Sequence, residues 1–332
     1  MRNKCGDKEY CGCNKEKVLS YNGKINMDNM KILYEYVSER NKVFIKKESG
    51  QPKPWTDNEI IRTYSFTNLR REQDKTTKWL INNISNNLSM DLHDRFYNSL
   101  LFRMYNRIDT AEVLELNKPF MLDDNKINNL MNMRSCYTRA FRTLGLRRGL
   151  SRQYPFTHDR LLPIAFVSDL EVLHGCLVPR DILQAETAED AYVWFSKING
   201  VGPFFAYQFF VDMTYMRWFP FSENEFVVCG PGAIRGLSYL FPEDCDLTDS
   251  EKVFWLRNNI DEIFKEIDPS YDVYEFFKSC WCEDYDCCWN VMSLENVVCE
   301  FSKYMWPHVG GKIKRKYNPL DGALDRPDKN EE

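Results

Sequence analysis

From Trp55 onward, apolar residues recur every three or four positions, while strict alternation of apolar and polar residues is scarce. Segments such as IIRTYSFTNLRREQDKTTKWLINNI, HDRFYNSLLFRMYN, KINNLMNMRSCYTRAFRTLG, AEDAYVWFSKI, FFAYQFFVDMTYM and LENVVCEFSKYMW carry the period of helices with one buried face. The pattern predicts a mostly α architecture, with one helical domain over 52–306. Before it, residues 1–50 are polar apart from the amphipathic MKILYEYVSERNKVFIKK, which reads as an extension around one helix. QPKP, Gln51 to Pro54, suits a linker because each proline biases its neighbour away from helix. The tail, 307–332, turns basic and then proline-rich and acidic, the composition of a disordered end.

Two glycine-rich turns interrupt the helical pattern. In INGVGPFFAYQFFVDM, Gly200 and Gly202 flank a valine and run into Pro203, which suits the first position of a helix because its missing N–H would have no partner there. The N–H groups at such a start face outward and favour an anion, so the turn is either a phosphate site or only a tight interhelical connection. About 25 residues later, FVVCGPGAIRGL repeats the arrangement, with Gly230, Gly232 and Ala233 at the start of a short helix and Arg235 one turn in.

Composition narrows the reading. Hydrophobic residues at 43% and aromatics at 14% supply ample core for a chain of 332 residues. The net charge of -5 argues against a protein that coats nucleic acid, yet leaves room for a local basic groove. Twelve cysteines, no apolar leader and no membrane-length apolar run point to a soluble intracellular protein with free thiols or metal ligands. No nucleotide-binding GxxxxGK[ST] loop occurs, so the chain itself lacks that kind of kinase site, and no cofactor is implied.

Several ordered segments together resemble one family. PWTDNEIIRTYSFTNLRREQDKTTKWL, GVGPFFAYQFFVDM, CGPGAIRGL and ENVVCEFSKYMWPHVGGKIKRKY are similar to the helical domain of the phage thymidine-hypermodification proteins. These are the α-glutamyl/putrescinyl thymine pyrophosphorylases, also found joined to 5-hydroxymethyluracil DNA kinases. The resemblance covers roughly Trp55 to Tyr317 and implies a helix-hairpin-helix fold like that of DNA glycosylases. It also implies chemistry on a base in DNA, flipped from the duplex: an amine or amino acid displaces diphosphate from pyrophosphorylated 5-hydroxymethyluracil. A glycosylase would carry an aspartate after the apolar run VV, where this chain has Cys229 and Gly230, which tells against base excision. The alternatives are a non-catalytic DNA-binding module that partners a 5-hydroxymethyluracil DNA kinase and, less well supported, a glycosylase.

Candidate residues follow from the motifs, each beside a plainer role. Asn68, Arg71 and Asp74 match the family's N-x-x-R-x-x-D pattern and are expected on one helix face toward a pocket; the plainer role is an exposed, ion-paired face. Arg71 and Arg235 suit a diphosphate, with the N–H groups of Gly232 and Ala233 beside Gly230. Asp212, an acid on an apolar helix, is either a general base or a residue that caps the helix or salt-bridges a neighbouring arginine, and Gln208 one turn earlier suits a base edge or the amino acid. Lys303 shares a helix face with Glu300 and suits a phosphate. For the DNA backbone the candidates are Gly200, Gly202, Arg147, Arg148, Lys314 and Arg315, against a merely solvated face. Cys280, Cys282, Cys287 and Cys288 form a cluster whose spacing is a weak match to a metal site.

Overall fold

A computed structural model describes residues 21, 23–138, 150–277 and 289–311. Among them the architecture is helical throughout, with no extended strand. The α-helices are α1 (Met27–Glu48), α2 (Glu59–Thr63), α3 (Lys75–Leu80), α4 (Leu92–Tyr105), α5 (Ile108–Val113), α6 (Asp124–Asn132), α7 (Leu162–Leu173), α8 (Arg180–Leu183), α9 (Ala188–Lys197), α10 (Pro203–Thr214), α11 (Pro231–Leu240), α12 (Asp249–Ile267), α13 (Val273–Phe277) and α14 (Val291–His308). The chain divides into two compact units. Among the described residues, the first takes those up to Asp74 and those from Phe226 to Gly311, and the second takes those within Lys75–Glu225.

In the first unit, α1 is part of the core. Met30, Leu33, Tyr36, Val37 and Phe44 fall on one face and are buried, and the Tyr36 ring lies 5.0 Å from that of Tyr304 on α14. The one helix of the segment read as an extension therefore supplies core, because its apolar stripe has α12 and α14 to bury against. Helices α11 and α14 cross at close range. A methyl at Gly236 would overlap the Val298 carbonyl, and one at Gly232 would overlap the Cys299 sulfur, so both positions demand glycine for approach rather than for backbone angle.

The helical expectation for FTNLRREQDKTTKW needs correction. Only Arg71–Gln73 makes a short 3₁₀ turn, and α3 starts at Lys75. Asn68 ties its side-chain amide to the Gln73 carbonyl at 2.9 Å, and Asp74 accepts the Asn68 N–H at 3.2 Å. These side-chain bonds compete with the helical ladder and close a loop instead.

In the second unit, α9 and α10 pack against each other across the turn that joins them. Helix α9 opens with a Thr187–Asp190 capping box and ends at Lys197. Gly200 then adopts φ +83, a left-handed conformation that a side chain would strain, and Gly202 caps α10 with Pro203 at its first position. Gly202 itself has φ -86, so its lack of a side chain is not required by the backbone. α10 is buried along nearly its whole length, from Phe205 to Thr214.

Candidate functional site

In the first unit, three segments distant in sequence meet: the loop 65–74, the turn before α11 and the first four turns of α14. Arg40 on α1 donates through Nε to the Thr67 carbonyl at 2.8 Å and through Nη2 to Asn68 Oδ1 at 2.5 Å. From α14, Asn296 donates to Thr67 Oγ1 and to the Asn68 carbonyl, each at 3.1 Å. Glu300 accepts the Thr67 N–H at 3.1 Å and the Lys303 ammonium at 2.6 Å. Lys303 also donates to the Ser65 carbonyl and lies 4.4 Å from the centre of the Phe66 ring. Asn68 and Asp74 thus staple the loop that presents half-buried Arg71. Burial pushes the Asp74 carboxyl up to about 6, against the pull of the Asn68 N–H, Arg71 and Arg40.

The turn before α11 holds a residue that the sequence did not single out. Glu295 on α14 is only 8% exposed, and its Oε1 accepts the N–H of Gly230, the N-cap of α11, at 3.2 Å. This carboxylate stands where the positive end of a helix attracts an anion. The expectation that Gly230, Gly232 and Ala233 form a vacant cradle therefore changes: the chain places its own acid there, and Gly232 is pressed against Cys299. Burial raises the Glu295 carboxyl, while the Gly230 hydrogen bond and Arg71 pull it down. The Cys229 and Cys299 thiols beside it are pushed up to about 12 by burial, so both stay protonated. Arg235 is exposed on α11, its guanidinium 5.1 Å from the Trp306 ring centre.

Asp212 lies in the second unit and is fully buried. Arg103 on α4 grips both of its oxygens, Nε to Oδ2 at 2.6 Å and Nη2 to Oδ1 at 2.5 Å. Asn106, left-handed at the end of α4, accepts from Arg103 Nη1 at 3.0 Å and steadies the fork. That bidentate pair matches the plainer of the two roles read from the sequence. Gln208 is buried on the same helix. The turn glycines Gly200 and Gly202 also belong to this unit; Gly202 is exposed, and a methyl built there meets nothing within 4 Å. Arg147, Arg148, Lys314, Arg315, Cys280, Cys282, Cys287 and Cys288 lie outside the described residues. Among the described residues no group of His, Cys, Asp and Glu could hold a metal ion, and no helix is long and apolar enough to cross a membrane.

A helical protein with a charged cluster drawn from three separate segments is the class defined by this geometry. The chain belongs to the family of 5-hmdU DNA kinase helical domains, whose model matches residues 28–310. It is similar to the 5-hmdU DNA kinase of Bacillus phage SP10, at 22% identity over 288 residues that cover 80% of this chain and 43% of that protein. The chain thus spans less than half the length of that relative. No solved structure matches it.

Proposed function

We propose that this chain modifies a base in DNA: it replaces the diphosphate of a pyrophosphorylated 5-hydroxymethyluracil with an amine, on a glycosylase-like helical scaffold that receives the base flipped from the duplex. The observation that carries the reading is the meeting of 65–74, 229–232 and 295–303 in one cluster of half-buried charges. A surface that only tracks a DNA backbone needs exposed cations; it does not need buried carboxylates interleaved with Arg71 and Lys303. In this reading Arg71 and Lys303 neutralise the leaving diphosphate, and Asn68 and Asp74 hold the loop that aims Arg71. The open turn at Gly200–Pro203 takes a backbone phosphate, and Arg235 adds charge from α11. Family membership supports the choice of base.

The test is incubation with duplex DNA carrying pyrophosphorylated 5-hydroxymethyluracil and pooled amino acids and diamines, followed by nucleoside mass spectrometry. A new amine-bearing thymine supports the reading, and unchanged substrate across the pool ends it. One observation favours a second reading, a DNA-binding module that serves a separate 5-hydroxymethyluracil DNA kinase: Asp212, the acid expected near the attacking amine, is occupied by Arg103. That reading expects salt-sensitive DNA binding and no turnover with any amine.

A further inference from the structure

We infer that Glu295 is the group that receives the amine donor, and that the donor is a primary amine arriving as its ammonium ion; this rests on the transferase reading. Of the two carboxylate oxygens, Oε1 is held by the Gly230 N–H, while Oε2 has no hydrogen-bond partner among the described residues. Although the side chain is more than nine-tenths buried, Oε2 is not sealed from solvent, so an incoming cation can reach it. The other acids of the described cluster are differently placed: Glu72 is paired with Arg70 through one oxygen, and its other oxygen is sealed from solvent. Glu300 is ion-paired with Lys303, and Asp74 closes its own loop on Asn68. Asp212 has Arg103 on both oxygens and lies in the other unit.

The groups that face Glu295 fit this task. From α14 and the turn before α11 come the thiols of Cys299 and Cys229, both protonated, and from the loop 65–74 comes Arg71. An ammonium therefore meets a carboxylate, and the cation that acts on that carboxylate, Arg71, is the one the leaving diphosphate takes. Burial displaces the Glu295 carboxyl upward, the direction a proton acceptor near neutral pH requires. The step balances as follows. Oε2 takes one proton from the ammonium, and the freed nitrogen lone pair forms a bond to the exocyclic methylene carbon of the base. The bond from that carbon to the diphosphate oxygen breaks, its electron pair leaves with the diphosphate, and the secondary ammonium that results loses its extra proton to water.

The experiment uses the full chain, duplex DNA bearing pyrophosphorylated 5-hydroxymethyluracil, and two amines at pH 7: ethylamine, which is protonated there, and trifluoroethylamine, which is not. Glu295→Gln keeps an acceptor for the Gly230 N–H and removes the base. It should slow ethylamine transfer by about 100-fold or more and leave trifluoroethylamine transfer within a few-fold of wild type. Glu295→Asp keeps a carboxylate and should fall between the two with ethylamine; it also serves if the glutamine variant fails to fold. An equal loss with both amines would mean that Glu295 only caps α11, and would overturn the inference while the transferase reading stands. A wild-type protein that transfers neither amine would overturn both.

Discussion

Each unit pairs a glycine turn at a helix start with a buried carboxylate, and the two pairings are opposite. In the second unit the acid, Asp212, is held by Arg103 on both oxygens, and a side chain added at Gly202 would meet nothing within 4 Å. In the first unit the turn at Gly230–Gly232 is met by an acid, Glu295, whose second oxygen has no hydrogen-bond partner among the described residues and stays reachable from solvent. The same local chemistry, orphan N–H groups at a proline-started helix, is thus left outward in one place and answered from within in the other. The contrast teaches that a glycine-rich helix start does not define an anion site until the residues packed against it are known.

The largest test of this contrast is Asp212→Asn. It leaves the Arg103 guanidinium buried without its counter-charge, and breaking such a pair costs about 3–5 kcal/mol, so a thermal melt should show a large loss of stability or an unfolded protein. Glu295→Gln, which keeps its hydrogen bond, should melt close to wild type. Similar losses for both would erase the distinction between a structural and an available carboxylate.

Next in size are the glycines. Gly236→Ala forces α11 and α14 apart at the Val298 carbonyl and should cost about 1–3 kcal/mol in a denaturant titration. Gly200→Ala is strained by its positive φ and should cost about 1 kcal/mol or slightly more. Gly202→Ala should leave stability within about 0.5 kcal/mol. If a DNA phosphate approaches the turn, the same substitution should weaken DNA binding at every sequence and reduce its dependence on salt. Unchanged affinity and salt slope would make the turn a connection and nothing more.

A further effect is a pH dependence in the loop beside Glu295. Asp74 has a native value of about 6, above its ordinary 3.8, so folding favours its protonated form. Its contribution is fully present below pH 3.8 and is lost as pH rises through about 6. Asp74→Asn, which preserves the acceptor for the Asn68 N–H, should match wild type at the acid end and gain on it between those two values. Parallel melting curves across that range would remove burial as the cause.

Helix positions were legible because the apolar stripes are long; α4, α9, α10 and α14 fall where the 3.6-residue period places them. The loop 65–74 was not legible, because charges three and four apart look the same on a solvated helix and on a loop stapled by Asn68 and Asp74. Within the candidate site, the N-x-x-R-x-x-D segment and Lys303 do meet, whereas Asp212 lies in the other unit. Glu295 carried the same sequence signal that drew attention to Asp212, an acid set among apolar helix positions in LENVV. What the sequence could not supply was the partner: Arg103 for one acid and a single backbone N–H for the other.

The division of the first unit in sequence has a consequence for synthesis. Its core needs α1 to pack with α12 and α14, yet the whole of Lys75–Glu225 is made in between. As the chain emerges from the ribosome, the second unit can close while α1 still carries an unsatisfied apolar face, since units of this kind fold as they are completed. Arg71 and Glu295 come together only when α14 has been translated, so a transcript truncated before Asn290 yields the open glycine turn without the charged cluster.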